Sequence, residues 1–339
     1  MKEEKILITG CAGFIGFSLA RSFLKSGFKV FGIDNINNYY STKLKSDRIR
    51  ILKKFKKFKF LKADIRNKEK IKKFFFKNKI SIVYHFAAQA GVRHSINNPD
   101  DYATNNLIGF FNVIELSRLA KVKHFIFAST SSVYGLNKKL PFAENDPVNH
   151  PSQFYAATKR SNELMAHSYS CIYDLKCTGV RFFTVYGPWG RPDMALFKFV
   201  KNSLESKPID VFNHGKHIRD FSYIDDVINC LKKIKNKTPK KNNKINPNNP
   251  SKSLSKFQIL NIGNQSKVKL MDYIKEIEKN LNLKITKNFL KLQQGDIPNS
   301  YSKVINTSKL INYTFKVNYK VGVKKFINWY LDYYKKEID

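Results

Sequence analysis

Residues 5–16 read KILITGCAGFIG. The segment starts as a short apolar strand, passes through three glycines, and continues as a helix predicted over 14–25. The first glycine allows a tight turn, the second lets a phosphate approach the main chain, and the N-terminus of the helix offers N–H groups and a partial positive charge. A glycine turn between a strand and a helix therefore predicts a pocket for the pyrophosphate of a dinucleotide. The residues predicted to form it are Gly10, Gly13, Phe14, Ile15 and Gly16.

Further apolar runs follow this turn, and a helical pattern comes after each of them. They span residues 30–33, 58–61, 82–86 and 124–128 and are apolar on both faces. Runs of this kind are typical of a parallel sheet that is covered by helices on both sides. The sequence therefore predicts an α/β fold with a Rossmann-type doubly wound sheet, in which ligands bind at the carboxyl ends of the strands.

Asp34 ends the second predicted strand, 18 positions after Gly16. A carboxylate in this place can accept a hydrogen bond from the 2′-hydroxyl of a ribose, and it repels a 2′-phosphate. The pattern therefore favours NAD over NADP as the cofactor.

The alternation of strands and helices weakens after about residue 185, where GPWGRP at 187–192 interrupts it. We predict an NAD-binding domain over 1–185 and a smaller, discontinuous α/β domain for the substrate over 186–339. Segments around 210–235 and 257–264 are expected to contribute to the first domain. Residues 236–256 are rich in lysine and asparagine and predict a low-complexity surface loop.

The amino-acid composition limits the kinds of molecule that the protein is expected to bind. The formal net charge is +36, but only ten of the 62 basic residues are arginines, the side chain that grips phosphates in two-point contacts. Because the lysines are spread along the whole chain, we predict no nucleic-acid partner. No apolar run approaches the ~20 residues of a membrane span, and no signal-peptide pattern precedes the first strand. Four cysteines without a CxxC pair predict a cytoplasmic protein with no metal site.

A second motif, YAATK at 155–159, places a phenol and an ammonium one helical turn apart. Tyr155 and Lys159 then share one face of a helix predicted over 154–173. A phenol with a pKa of about 10 is a poor base at neutral pH, but a nearby ammonium and a positively charged nicotinamide ring favour the phenolate. A hydroxyl across the site can share the proton of the substrate, and the run STSS at 129–132, where a predicted strand ends, supplies the candidates. The motifs together predict an enzyme that removes a proton and a hydride from an alcohol.

Eight segments extend the pattern over nearly the whole chain. They are TGCAGFIG (9–16), HFAAQAGVR (85–93), STSSVYG (129–135), YAATK (155–159), GVRFFTVYGPWGRPDMA (179–195), RDFSYIDD (219–226), LNIGN (260–264) and QGDIP (294–298). In these segments the chain resembles the extended short-chain dehydrogenases/reductases of the NAD-dependent nucleotide-sugar epimerase/dehydratase family. The resemblance implies a bound NAD and a UDP- or dTDP-sugar substrate.

The resemblance also implies roles for individual residues. Thr130 matches the catalytic Ser/Thr of the family, beside Tyr155 and Lys159. Arg219 matches a contact to the substrate diphosphate, and His85 is expected to be a packed core residue. The further cofactor contacts that it implies are Asn35, Asp64, Ile65, Ala87 and Ala88.

Three features favour an epimerase. Residues 131–132 before VYG are serines, so the general acid that a dehydratase or decarboxylase carries there is missing. Gln293 stands where UDP-galactose 4-epimerases have an arginine. The segments DNINNYY (34–40), GVRHSINNP (91–99) and YGPWGRPDMA (186–195) are similar to those of epimerases that act on UDP-glucuronate. The resemblance thus implies NAD-dependent C4 epimerisation of UDP-glucuronic acid to UDP-galacturonic acid through a transient 4-keto sugar.

A uronic acid brings a carboxylate that needs partners in the site. Arg93 and Arg191 lie on loops that are expected near the sugar, and either can engage this group. A 4-keto uronic acid loses CO₂ readily, so polar contacts must hold its carboxylate out of line for cleavage. The candidates for these contacts are Thr130, Ser131, Ser132 and Thr184.

Other interpretations of the sequence stay open. The chain could be a 4-epimerase of a neutral UDP-hexose or UDP-N-acetylhexosamine, and a UDP-glucuronate decarboxylase is a further alternative. Outside the enzymes, the alternative is a non-catalytic NAD- or nucleic-acid-binding protein. The family resemblance also implies a homodimer, paired through long helices predicted over 100–120 and 154–173.

Overall fold

The computed structural model describes residues 4–242 and 249–335. In chain order its strands are β1 (Lys5–Thr9), β2 (Lys29–Asp34), β3 (Phe58–Lys62), β4 (Ile82–His85), β5 (His124–Thr130), β6 (Cys177–Phe182), β7 (Thr184–Tyr186), β8 (Ile209–Val211), β9 (Ile218–Arg219), β10 (Phe221–Tyr223), β11 (Phe257–Ile262), β12 (Val268–Lys269), β13 (Lys287–Phe289) and β14 (Asn299–Ser300).

Its α-helices are α1 (Phe14–Lys25), α2 (Thr42–Lys53), α3 (Lys68–Asn78), α4 (His94–Asn97), α5 (Pro99–Tyr102), α6 (Gly109–Leu119), α7 (Phe154–Tyr173), α8 (Ala195–Leu204), α9 (Ile224–Ile234), α10 (Leu270–Leu281), α11 (Asn306–Ile311) and α12 (Tyr319–Lys335). A π-helical segment, Ala103–Ile108, joins α5 to α6, and short 3₁₀ turns cover Ser131–Tyr134 and Phe212–Gly215.

A seven-stranded parallel sheet forms the centre of the molecule, with the strand order β11-β6-β5-β4-β1-β2-β3. In the middle, Ile6 of β1 pairs with Val30 of β2 on one side and with Ile82 of β4 on the other. Helices α1, α2 and α9 cover one face, and helices α3, α6 and α7 cover the other. The side chains of β1 alternate between these two cores, since Ile6 belongs to the first and Leu7 to the second. The predicted Rossmann-type doubly wound sheet is therefore confirmed.

Two predicted helices have the same bounds in the structure, namely 14–25 and 154–173. Strand β5 is longer than the predicted run 124–128, because Ser129 and Thr130 continue its ladder along β6. The extra residues carry Thr130 to the carboxyl edge of the sheet.

The helix predicted over 100–120 is not regular. It consists of α5, the π-helical segment and α6. Within the π-helical segment the carbonyl of Asn106 accepts a hydrogen bond from the Asn162 side chain, with an N–O distance of 2.7 Å. A side chain of α7 thus serves a main-chain group where the regular helical pattern is interrupted.

A smaller layer of structure lies beyond β6. It contains the pair β7–β10, the three-stranded order β12-β9-β14, and the pair β8–β13. Residues 187–192, which interrupt the alternation of strands and helices, attach this layer to the sheet region. Within this stretch, Trp189 packs between Phe17 of α1 and Trp329 of α12, with ring centroids 5.3 and 5.4 Å away. The division into two domains near residue 185 remains our proposal.

The predicted low-complexity loop lies in part outside the described residues, which stop at 242 and resume at 249. Its second part contacts the sheet region. Ser251 is buried, and its carbonyl accepts a hydrogen bond from the Ile259 N–H of β11 at 2.8 Å. Within the described ranges, no helix is both long and apolar enough to span a bilayer.

Candidate active site

A cavity of about 430 Å³ opens at the carboxyl ends of the central strands. Most of the predicted site residues line it, and only Asp64 and Arg93 do not. The predicted residues that line it are Gly10, Gly13, Phe14, Ile15, Gly16, Asp34, Asn35, Ile65, Ala87, Ala88, Thr130, Ser131, Ser132, Tyr155, Lys159, Thr184, Arg191 and Arg219. The fold therefore brings together residues that are far apart in the chain.

The glycine turn between β1 and α1 forms one wall of the cavity. Gly10 has a φ of +72°, and its N–H donates to the Ile33 carbonyl at 2.8 Å. A Cβ on Gly16 would lie 2.1 Å from the Gly10 carbonyl oxygen, so the turn closes only with glycine. Gly13 is the N-cap of α1, whose first N–H groups have no acceptor within the helix. These residues fit the pyrophosphate of a dinucleotide.

Asp34 lies at the end of β2 with both carboxylate oxygens in use. They accept hydrogen bonds from Ala12 N–H at 2.9 Å and from Ile36 N–H at 2.8 Å. Burial raises the pKa of Asp34, while these two hydrogen bonds and the charges of Lys45 and Arg48 oppose the rise. The carboxylate stands at the place where the sequence predicts a ribose contact.

Asp64 does not line the cavity, although the resemblance implies that it contacts the adenine. Its carboxylate accepts two side-chain hydrogen bonds from Arg66, each 2.9 Å long, and one from Asn35 at 3.0 Å. These donors lower the pKa of Asp64 to about 2, although burial acts in the opposite direction. Asp64 thus orients Asn35, which does line the cavity. Its own contact to a cofactor stays a prediction.

The three residues predicted for catalysis meet at the other side of the cavity. Tyr155 and Lys159 lie in the first turns of α7, and Thr130 ends β5. The Thr130 hydroxyl is near enough to Tyr155 to lower the pKa of the phenol. The Thr130 hydroxyl also accepts a hydrogen bond from Ser132 N–H at 3.2 Å. A substrate hydroxyl between the phenol and the threonine could lose its proton to the Tyr155 phenolate, either directly or through the Thr130 hydroxyl, which gives its own proton to Tyr155 as it accepts the new one.

The charges around Tyr155 differ from the expectation. Burial raises the pKa of Tyr155, whereas the guanidinium of Arg191 and the Thr130 hydroxyl lower it. The sequence had predicted the cationic contribution for Lys159. Burial lowers the pKa of Lys159 to about 8, and the carboxylate of Glu163 opposes this. His85 is buried, and its pKa is lowered to about 3, which agrees with a neutral core histidine.

Arg191 reaches the cavity as part of an ion pair. Its Nε donates to Oδ1 of Asp193 at 3.0 Å, and its Nη2 donates to Oδ2 at 2.5 Å. The Tyr39 hydroxyl donates to the same carboxylate at 3.3 Å. Two of the guanidinium's donors are therefore already engaged in a two-point contact before a substrate carboxylate arrives.

The other two predicted arginines lie together near Asp296, although only Arg219 lines the cavity. Arg219 donates to Oδ1 of Asp296 at 3.1 Å and to the Pro298 carbonyl at 2.8 Å. Arg93 stacks on the Phe212 ring at 4.6 Å and is close enough to Asp296 for their charges to interact. Arg93 thus faces the residues expected to bind the diphosphate.

Several cavity residues were missed by the sequence analysis. Lys45 and Arg48 lie three residues apart on the buried side of α2, and Lys45 lines the cavity. Arg48 donates to the carbonyls of Ala12 and Trp189, at 2.7 and 2.6 Å. Their placement on the apolar face of an otherwise polar helix was the available signal. Gln153 and Asp296 also line the cavity, and QGDIP was the signal for the second of them.

A Rossmann-type sheet whose glycine turn and Tyr–Lys pair face one cavity defines an enzyme of the short-chain dehydrogenase/reductase class. The chain belongs to the NAD dependent epimerase/dehydratase family, whose model matches residues 6–246. NAD is accordingly its cofactor.

Two curated relatives and one solved structure are similar over nearly the whole chain. Protein CapI of Staphylococcus aureus is 46% identical over 334 residues, covering 98% of this chain and 100% of the relative. A probable UDP-glucuronate 4-epimerase of Rhizobium meliloti (strain 1021) is 40% identical and covers 98% of both chains. The crystal structure of UDP-glucuronic acid 4-epimerase from Bacillus cereus with UDP-glucuronic acid and NAD has a TM-score of 0.87 at 33% identity, covering 97% of this chain and 100% of the other.

Proposed function

We propose that this protein is a UDP-glucuronate 4-epimerase, which interconverts UDP-glucuronic acid and UDP-galacturonic acid by inverting C4. The observation that carries the proposal is the meeting of Thr130, Tyr155 and Lys159 with the glycine turn in one cavity. The substrate class is supported by the relatives and the structure that are named for this activity. The serines that replace an acid at 131–132 support epimerisation over elimination.

The chain contributes proton transfer to this reaction. Tyr155, as the phenolate, takes the proton of the 4-hydroxyl, and Thr130 hydrogen-bonds the same oxygen. Arg191 stabilises the phenolate electrostatically, and Lys159 places an ammonium one helical turn away on α7. Bound NAD supplies the hydride acceptor and donor at C4.

The 4-keto sugar must change its orientation in the site between the two half-reactions. Arg219 holds the diphosphate, so the 4-keto sugar rotates about this anchored group and presents its other face. Tyr155 then returns the proton to the same oxygen, and no net oxidation results. The role of Arg219 is supported by its position on the cavity wall next to Asp296.

The carboxylate of the sugar has three hydroxyl groups available to it. Ser131, Ser132 and Thr184 line the cavity around Thr130. Because Arg191 is already paired with Asp193, we assign the direct contacts to these hydroxyls and the background positive charge to Arg191. Neutral donors hold the carboxylate in one orientation, and this opposes loss of CO₂ from the 4-keto stage.

The decisive experiment is incubation of the purified protein, without added NAD, with UDP-glucuronic acid, UDP-glucose and UDP-N-acetylglucosamine separately. The products are resolved by NMR. We expect UDP-galacturonic acid from the first substrate and no UDP-pentose. Turnover of only the neutral sugars would contradict the proposal and favour the neutral epimerase, while a UDP-pentose product would favour the decarboxylase.

A homodimer is part of the proposal. Leu164 and Ile172 of α7 are 55% and 69% exposed, and Ile108 and Phe111 of the neighbouring helical segment are 55% and 41% exposed. Large apolar side chains on two adjacent helices suit a second copy of the same surface. Light scattering should give twice the chain mass, and Leu164→Glu should shift the protein towards the monomer. The cytoplasmic location and the absence of nucleic-acid and membrane partners stay predictions.

A further inference from the structure

A buried ion pair lies directly behind the catalytic residues. Glu163 of α7 and Arg181 of β6 are both fully buried. Arg181 donates twice to the carboxylate, from Nε at 2.8 Å and from its second terminal nitrogen at 2.9 Å. Ser129 donates its hydroxyl at 2.6 Å, and Arg160 donates at 3.0 Å. None of these contacts takes part in the proton and hydride transfers of the proposed reaction.

The partners of Glu163 adjoin the catalytic groups in the chain. Glu163 follows Lys159 by four residues, which is one turn of α7 on the same face. Ser129 immediately precedes Thr130 on β5 and stands opposite Arg181 in the ladder between β5 and β6. One carboxylate therefore joins the strand that ends in Thr130 to the helix that carries Tyr155 and Lys159.

We propose that Glu163 is a positioning residue of the reaction, which fixes α7 against β5 and places a buried negative charge next to the Lys159 ammonium. The inference rests on the proposed function, since it assigns a further residue to the same site. Two consequences can be measured separately. Loss of the hydrogen bonds by which Glu163 holds α7 against β5 lowers kcat. Loss of its negative charge changes the pH at which Lys159 gives up its proton.

The sign of the pH effect follows from the groups around Lys159. Burial lowers the pKa of Lys159 to about 8, and Glu163 is the group that raises it. His85 of β4 faces the ammonium but is neutral, because its own pKa is lowered to about 3. Among the described residues, the other charged groups next to Glu163 are Arg160 of α7 and Arg181 of β6. Tyr134 and Glu144 lie on the far side of Arg181, and Tyr155 lies on α7 one turn before Lys159. Without the Glu163 charge, the alkaline limb of kcat must therefore move to lower pH.

The test is the pH profile of Glu163→Gln measured with UDP-glucuronic acid. We expect kcat to fall by about 10-fold to 100-fold with KM within about twofold, because misplacement acts on the chemical step. The alkaline limb should move down by about one pH unit, as expected for loss of one nearby opposite charge. Glu115→Gln is the matched control, since Glu115 pairs in the same two-point manner with Arg118, but its partners are Arg118 and Tyr169 rather than groups next to Thr130 and Lys159.

Two further variants keep the test decisive. A single neutral substitution leaves Arg181 buried and unpaired, which can prevent folding. The double variant Glu163→Gln/Arg181→Met removes both charges, and it should fold while keeping the shifted alkaline limb. Ser129→Ala keeps every charge, so its alkaline limb should stay in place while kcat falls.

The outcomes separate the two proposals. Wild-type protein that leaves UDP-glucuronic acid unchanged contradicts the proposed function, and the same profiles are then recorded with whichever UDP-sugar is turned over. If the wild-type enzyme is active and the alkaline limb of a folded Glu163 variant lies at the same pH as in the wild type, the positioning role of Glu163 is overturned. If neither charge variant folds, an unchanged kcat in Ser129→Ala overturns it.

Discussion

The two ends of the cavity are built in different ways. At the cofactor end, main-chain groups of the glycine turn form the wall, and a Cβ at Gly16 would collide with the Gly10 carbonyl. At the substrate end, charged side chains from distant segments form it, and each arginine on the wall stands against a carboxylate. Arg191 pairs with Asp193, and Arg219 pairs with Asp296.

The cofactor end is therefore expected to be rigid, and the substrate end is expected to adapt to its ligand. A site made of main-chain N–H groups has little freedom, because the strand and the helix on either side fix the turn. A site made of ion pairs can exchange one anion for another, since a diphosphate can take over donors that a carboxylate held. We therefore expect substitutions at the substrate end to change KM and pH dependence, and those at the cofactor end to change retention of NAD.

The largest effect is expected where the two ends meet. Tyr155→Phe removes the proton acceptor but not the ring, so kcat should fall by about 10³-fold, within the range for loss of a general base. NAD retained by the purified protein, measured after denaturation, should not change. Tyr169→Phe is the control on the same helix, because its hydroxyl contacts Glu115 away from the cavity. A Tyr155→Phe enzyme with near-normal kcat would remove the phenol from the mechanism.

Arg219→Met tests the substrate end through affinity. Loss of a charged hydrogen-bond donor to the diphosphate should raise KM by about 10-fold to 100-fold. The content of NAD should stay at the wild-type level. Arg118→Met, which breaks a surface pair with Glu115, is the control. An unchanged KM would show that the diphosphate is held elsewhere.

Arg191→Met tests the electrostatic part of the comparison. Arg191 lowers the pKa of Tyr155, so its loss should raise that pKa and leave less phenolate at a given pH. The acid limb of kcat should then move to higher pH by about one unit. Arg191→Lys keeps the positive charge, so its acid limb should lie close to the wild-type pH. If both variants have the wild-type limb, the charge of Arg191 does not act on the phenol.

The smallest effect distinguishes two aspartates at the cofactor end. Asp64→Asn should alter the affinity for NAD by less than about twofold, because the new amide keeps an oxygen that can accept the hydrogen bond from Asn35, and the lost pair with Arg66 lies on the surface. Asp34→Asn, the matched change on the cavity wall, should weaken binding by about 10-fold. Equal effects in a titration of NAD into stripped protein would contradict this placement of Asp64.

The sequence was most informative where local pattern and chemistry coincide. The bounds of α1 and α7 were predicted correctly, because apolar periodicity and the glycine turn define the first and YAATK lies at the start of the second. The run of hydroxyl side chains at 129–132 was predicted from its place at the end of a strand, and the family resemblance selected Thr130 within it. Each of these signals lies within about twenty residues of chain, on the scale over which helix and strand patterns act.

Contacts between distant segments could not be predicted in the same way. The sequence marked Arg219 as a ligand of the diphosphate, but it did not show that Asp296, 77 residues further along the chain, would pair with the guanidinium. Lys45 lies in a segment whose polar composition is that of a surface helix, and only the fold brings its side chain near Asp34. Glu163 reads as one charged residue of a helix until β6 places Arg181 against it.

The return of the chain to the sheet as β11 has a practical consequence for protein engineering. β11 pairs with β6 along its whole length, from Phe257 with Cys177 to Ile262 with Phe182. A fragment that stops at residue 185 would leave the main-chain groups of β6 open along one side, and such an edge recruits other strands. A soluble cofactor-binding fragment must therefore include residues up to 262, which makes the two halves of the chain inseparable by a single cut.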